Sequence, residues 1–132
     1  MLKYYIDAIV QPGYLFKYND AGQPEGMVKD RKMICITSGG GDYSAEPLKS
    51  FDFVEPYLRT IFGFIGLTDL HFFNLQPMDH SIEARHAAQR ATIAEVRGWV
   101  ANHDWGSIQG TPTELPTGLK PAPLSEEATP FA

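Results

Sequence analysis

The chain has 132 residues, 43% hydrophobic and 20% charged, which bounds it to one domain with a core of its own. A net charge of −5 argues against a general binder of nucleic acid or anionic membranes, and no apolar stretch is long enough to span a bilayer. The N-terminus, Met1-Leu2-Lys3-Tyr4-Tyr5-Ile6-Asp7, lacks the shape of a signal peptide, and Cys35 is the only cysteine, so no intramolecular disulfide forms and a cytoplasmic location is expected.

In chain order, Met1 to about Val10 reads as a helix with Leu2, Tyr5, Ile6 and Ile9 on one face, ended by Gln11-Pro12-Gly13. Tyr14 to Tyr18 alternates weakly, and Asn19-Asp20-Ala21-Gly22 is a turn signal, which predicts a hairpin or aromatic loop over about 14–28. Lys29-Asp30-Arg31-Lys32 reads as a solvated turn leading into a buried strand over 33–38. Asp52-Phe53-Val54-Glu55 has capping-box spacing, and Phe53, Val54, Tyr57, Leu58, Ile61 and Phe62 recur at helical intervals, with Gly63 as C-cap. Gly66-Leu67-Thr68-Asp69 turns the chain into a second buried strand, Leu70 to Leu75. Asp79 or Ser81 then caps a long helix to about Ala101, whose Ala84, Ala87, Ala88 and Ala91 form a small-residue face suited to lie against a sheet. From Thr111 to Ala132 the chain is Pro-rich and aperiodic, a tail beyond a domain of residues 1–110.

Strand, helix, strand implies a parallel pair with a right-handed crossover. Two parallel strands do not make a doubly wound sheet, and strands buried on both faces need neighbours on either side. The expectation is therefore the second half of an α/β domain.

Met33-Ile34-Cys35-Ile36-Thr37-Ser38 ends in Gly39-Gly40-Gly41. Ligands of open α/β sheets sit beyond the carboxyl ends of strands. Glycines there admit a flat ring close to the backbone and leave N–H groups free to donate. Taken alone, the run reads as a tight turn. Cys35, in mid-strand, is expected to be inert packing.

From Leu2 to about Val100 the chain resembles the C-terminal half of the FMN-dependent NADH-azoreductases, of the NAD(P)H:quinone oxidoreductase branch with a flavodoxin-like fold. The residues that carry the resemblance are Leu2-Lys3-x-Tyr5-Ile6-Asp7, Phe16-Lys17-Tyr18 with Pro24-Glu25-Gly26, and Ile36-Thr37-Ser38-Gly39-Gly40-Gly41. To these is added Glu55-Pro56-Tyr57-Leu58-Arg59-Thr60-Ile61-Phe62-Gly63-Phe64-Ile65-Gly66 with Thr68-Asp69. The resemblance implies a doubly wound parallel sheet and ping-pong hydride transfer: NADH or NADPH reduces FMN, and a quinone or azo compound takes the electrons. It implies that Thr37, Ser38, Gly39, Gly40 and Gly41 line the flavin ring. Tyr18 stands where an aromatic covers the substrate side, and Phe64 where one reaches over from the second subunit of a homodimer. From the residues alone, Phe64 is equally a core residue of its helix end, and Tyr18 a hairpin packing residue.

The sequence departs from the pattern in two places. Gly39 stands where the family commonly carries Arg, which removes a cation near the flavin. The family's first strand, phosphate-binding loop and aromatic-Asn loop have no counterpart here, which implies a complementing N-terminal half, or a non-catalytic assembly module that has lost FMN binding. His71, His80, His86 and His103 fit no common metal-ligand spacing and are expected to be solvated or capping, so no metal is expected. Asp42 and Glu46 are loop carboxylates expected to face solvent.

Overall fold

A computed structural model of the chain describes residues 1–106; the expected tail and the domain boundary at 110 lie outside the described residues. The elements are α1 (Leu2–Ile9), β1 (Phe16–Tyr18), β2 (Pro24–Gly26), β3 (Lys32–Ser38), a 3-10 turn (Leu48–Phe51), α2 (Val54–Phe64), β4 (Asp69–Leu75) and α3 (Ile82–Asn102).

The expected parallel pair is present. β3 and β4 run in register from Lys32 beside Asp69 to Ser38 beside Leu75, with α2 as the crossover. At the entry end Lys32 Nζ and Asp69 Oδ2 pair at 2.9 Å, with side chains only 15% and 10% exposed. Asp69, expected in a turn, thus opens β4. Side chains alternate across the two strands. Met33, Cys35, Leu70 and Phe72 face Ile6 of α1, Leu58 and Phe62 of α2, and Ile65 and Leu67 just beyond it. Burying side chains such as Phe62 or Leu58 contributes ~1.5–3 kcal/mol each. On the opposite face Phe73, 1% exposed, meets Trp99 of α3 edge-on at 5.7 Å.

The strands were expected to be buried on both faces, and β3 is not. Its residues alternate between half-buried and exposed, and Ile34 and Ile36 are 41% and 67% exposed. The physical reason is coverage: α3 packs on β4, and β3 has a strand neighbour on one side only.

β1 and β2 form the expected hairpin, Phe16 opposite Gly26 and Tyr18 opposite Pro24. Asn19 closes it, its Oδ1 accepting from the Ala21 and Gln23 N–H groups at 3.0 and 2.9 Å, the local competition that makes Asn a turn residue. Two glycines clamp the hairpin to the end of α2. A Cβ on Gly26 would stand 2.2 Å from Gly66 N and Ile65 C, and one on Gly66 (φ +96°) would stand 2.6 Å from Val28 O. Val28 N–H donates to Ile65 C=O across this contact at 2.9 Å. The stop of α2 therefore lies at Ile65-Gly66, and Gly63, expected as the cap, lies inside the helix.

Asp52 Oδ1 does accept from the Val54 and Glu55 N–H groups, at 3.0 and 3.4 Å. The reciprocal half of the capping box is missing, because the Glu55 carboxylate turns to Arg59 and Asn74. Only the later part of the predicted stripe is core: Leu58 and Phe62 are buried, whereas Phe53 is 72% and Val54 56% exposed. Ser81 caps α3, its Oγ accepting from Ala84 N–H at 3.1 Å; Asp79 does not. The sheet-facing residues of α3 are Ala84, Ala88, Thr92, Val96 and Trp99, with Ala87 and Ala91 exposed.

Candidate functional site

The glycine run lies at the carboxyl end of β3. Gly39 N–H donates to Leu75 C=O at 3.0 Å, carrying the parallel ladder one residue past the strand. Gly40 C=O accepts from Met78 and Asp79 N–H at 3.2 and 3.0 Å, so the segment after β4 holds the loop. The N–H groups of Gly40 and Gly41 have no acceptor among the described residues.

The fold asks little of these glycines. None has a positive φ. A Cβ on Gly39 would lie 3.4 Å from Gln76 Oε1 and one on Gly41 3.4 Å from the Tyr43 ring, both ordinary contacts; on Gly40 it would press on Asp79 Cβ at 3.3 Å. This is the opposite of Gly26 and Gly66. The bare backbone creates room above the loop, where a Cβ would intrude.

Two adjoining hollows open there. The nearer, of about 330 Å³, is bordered by Thr37, Ser38, Gly39 and Gly40 on the sheet side and by Phe51 and Phe53 opposite. The larger, of about 640 Å³, continues past Lys49 and Arg59 to Phe72. Tyr43, Asp52, Glu55, Asn74 and Gln76 border both.

A hydrogen-bonded chain stiffens the wall between them. Thr37 Oγ1 donates to Asn74 Oδ1 at 2.5 Å, and Asn74 Nδ2 donates to Glu55 Oε2 at 2.9 Å. Arg59 Nε and Nη2 donate to Glu55 Oε1 at 2.8 and 2.6 Å. The guanidinium lies 4.4 Å over the Phe72 ring, and its Nη1 reaches Leu70 C=O at 3.4 Å. The chain links the end of β3 to the first turns of α2 across β4. On the same face, Cys35 packs as expected: burial pushes its thiol pKa up, with Glu55 adding to the effect and Arg59 opposing it. Asp42 Oδ1 accepts from Ser44 N–H and Oγ at 3.0 and 2.6 Å, which holds its carboxyl below the ordinary range. It and Glu46 are exposed, as expected.

Of the residues singled out from the sequence, Thr37, Ser38, Gly39 and Gly40 come together on the nearer hollow, with Gly41 beside Tyr43. Tyr18 and Phe64 border neither hollow. They lie at the hairpin, where Phe16 meets Phe64 edge-on at 4.6 Å and Tyr18 at 5.7 Å. Tyr43, Phe51, Phe53, Asn74 and Gln76 escaped the sequence reading. A signal for Phe51 and Phe53 existed: they flank the capping Asp52, outside the turns of α2 that reach the core. His80 and His86 are exposed, as expected. His71 and His103 are not solvated; they stack on the two faces of Trp99 at 4.5 and 4.0 Å. No group of potential metal ligands occurs among the described residues.

Comparison with known proteins agrees with this architecture. Residues 1–100 match the model of a family described by its flavodoxin-like fold. An FMN-dependent NADH:quinone oxidoreductase of Hyphomonas neptunium is 44% identical over 100 residues, covering 76% of this chain and 46% of that protein. One from Trichormus variabilis is 45% identical over 86 residues, covering 65% and 40%. Among solved structures, an azoreductase from Bacillus anthracis superposes with a TM-score of 0.67 at 27% identity, covering 78% of this chain and 49% of its own. An FMN-dependent NADH-azoreductase of the same species, solved in complex with FMN, gives 0.61 at 28% identity, covering 76% and 49%. The chain thus spans about half the length of the relatives it matches. With a parallel β3–β4 pair crossed by α2, helices on both faces and a family match over residues 1–100, the chain belongs to the flavodoxin-like fold family.

Proposed function

We propose that this chain forms the ring-binding half of an FMN-dependent NAD(P)H oxidoreductase that reduces quinones or azo compounds in a ping-pong cycle. One observation carries the reading. A loop that does not need its glycines for folding presents two free N–H donors to an aromatic-rimmed hollow at the carboxyl end of a parallel pair.

The residues fit one edge of a flavin ring. Gly40 and Gly41 N–H would donate to ring acceptors and stabilise negative charge there, at no reorganisation cost, because Gly39 and the residues after β4 already hold the loop. Ser38 borders the same edge, and Thr37 is fixed by Asn74. Phe51 and Phe53, exposed at the rim, and Tyr43 offer rings for offset stacking on a flat guest. The chemistry a bound FMN supplies is hydride acceptance from NADH or NADPH and reduction of a planar acceptor. In this reading Tyr18 covers the substrate side of the ring, and Phe64 reaches over from the second subunit of a homodimer. The free Cys35 fits a reducing cytoplasm.

The test is a titration of the chain with FMN, alone and co-expressed with the half of the Hyphomonas neptunium relative that it does not match. Quenched flavin fluorescence, and bleaching of the yellow band by NADH in the absence of oxygen, are expected for the complex. A folded complex that takes up no FMN refutes the redox reading and leaves a non-catalytic assembly module.

A further inference from the structure

We propose that the larger hollow is a charge-selective subsite for flat molecules, and that Glu55 sets its sign. By engaging Arg59, Glu55 leaves the hollow net acidic, so that it takes neutral or cationic substituents and turns anionic ones away. That the molecules are electron acceptors rests on the redox reading above; the charge preference does not.

The two hollows are continuous, because Asp52, Glu55, Asn74 and Gln76 border both. A flat molecule stacked in the nearer one, of about 330 Å³, therefore extends its substituents into the larger one, of about 640 Å³. The sheet side of the nearer hollow, Thr37, Ser38, Gly39 and Gly40, carries no charged side chain. Charge discrimination falls to the larger hollow, where four carboxylates (Asp42, Asp52, Glu55 and Glu95) stand against two cations (Lys49 and Arg59), a net charge of −2.

Arg59 is the cation whose planar fork could clamp a carboxylate or sulfonate. Each of its three nitrogens is already engaged. Nε and Nη2 donate to Glu55 Oε1 at 2.8 and 2.6 Å, and Nη1 reaches Leu70 C=O at 3.4 Å. One face of the guanidinium is taken as well, 4.4 Å over the Phe72 ring. Asn74 Nδ2 holds Glu55 in place at 2.9 Å through the other carboxylate oxygen. Glu55 and Arg59 thus cancel, and three carboxylates face Lys49 alone. Lys49 sits exposed on the 3-10 turn and makes no ion pair among the described residues. Asp42, Asp52 and Glu95 make none there either. Asp42 stays ionised because Ser44 donates to it twice, and Asp52 accepts from the N–H groups of α2. Two net charges ~7 Å from a substituent in water separate a cation from an anion by about tenfold or more at ~10 mM ionic strength, and by about three- to fivefold at ~0.15 M.

The test is binding of three anthraquinones to the full chain, alike in ring and differing in one substituent: an anionic sulfonate, a neutral hydroxymethyl and a cationic trimethylammoniomethyl group. Dissociation constants are read from the NMR shifts of the Asn74 and Gln76 side-chain amides and of Arg59 Nε–H. The cation is expected to bind about tenfold more tightly than the anion at ~10 mM salt, with the neutral probe between them, and the gap to shrink at ~0.15 M. Glu55→Gln releases Arg59 and is expected to cut the low-salt gap about threefold, chiefly by tighter binding of the anion. Glu95→Gln, at an exposed helix position, is expected to cut it about twofold, and Lys49→Gln to widen it. If Glu55→Gln alters the circular dichroism of the chain, the other two variants decide. Equal affinities, tighter binding of the anion, or unmoved Asn74 and Gln76 amides at millimolar probe each overturn the proposal. So does a preference for the cation that no variant changes, since the probe then sits elsewhere. A chain that shows the preference and takes up no flavin, alone or complemented, supports the subsite and refutes only the redox reading.

Discussion

Gly41→Ala separates a glycine kept for folding from one kept for a ligand. The native backbone at Gly41 lies outside the positive-φ region, and the added Cβ would meet the Tyr43 ring at 3.4–3.5 Å, ordinary van der Waals contact. Replacing Gly by Ala at a compatible backbone stabilises by ~0.4–1 kcal/mol, because the unfolded chain loses freedom. Stability is therefore expected to hold or rise slightly. Binding is expected to move the other way. The methyl group occupies space beside a free N–H donor, and losing one hydrogen bond to a charged or buried acceptor costs ~1–3 kcal/mol, roughly ten- to hundredfold in affinity. Urea unfolding of the chain and fluorescence titration with FMN in the complemented complex measure the two quantities. If the variant loses more than ~1 kcal/mol of stability, the glycine serves the fold. If it binds FMN like the parent, the loop does not touch the ring. Either result refutes the reasoning.

Gly26→Ala and Gly66→Ala are expected to behave oppositely, losing more than ~3 kcal/mol each, because the Cβ would meet backbone at 2.2 and 2.6 Å and Gly66 has φ +96°; thermal unfolding near the parent value would show that the hairpin clamp yields freely. Asn74→Leu removes the link between Thr37 and Glu55 and leaves Glu55 Oε2 without its amide donor. A loss of ~1–2 kcal/mol in urea unfolding is expected, and no loss would show that the chain of hydrogen bonds is idle. Burial raises the Cys35 thiol above its ordinary 9.0, so the folded state disfavours the thiolate. Alkylation by iodoacetamide at pH 8 is expected to be slower in the folded chain than in urea. The associated stability is present below pH 9 and lost as pH rises through the folded value, a loss that Cys35→Ala should remove; equal alkylation rates in the two states would contradict the burial.

Much of the architecture was legible because it is written in local periodicity. Helical spacing of Leu58, Ile61 and Phe62, the Asn19 turn, the Ser81 cap and the apolar runs over 33–38 and 70–75 each act within a few residues, and local sterics and hydrogen bonds decide them. The parallel pair followed from strand, helix, strand. The glycine loop was legible as a candidate site because Gly39, Gly40 and Gly41 directly follow a strand.

What the chain alone did not reveal depends on partners distant in sequence. Periodicity marks an apolar residue without saying what covers it. Ile34 and Ile36 read as core and are exposed, because coverage is a property of the neighbouring layer and α3 packs chiefly on β4. Gly63 and Gly66 are equivalent by composition, and only the approach of the hairpin makes Gly66 the stop. Glu55 left its capping box because tertiary packing brought Asn74 within 2.9 Å. His71 and His103, 32 positions apart, became the two faces of one stack only when α3 lay down on β4. Local order is set by forces that act along the chain; burial, register and the shape of the hollow are set by contacts through space, which no short window of sequence contains.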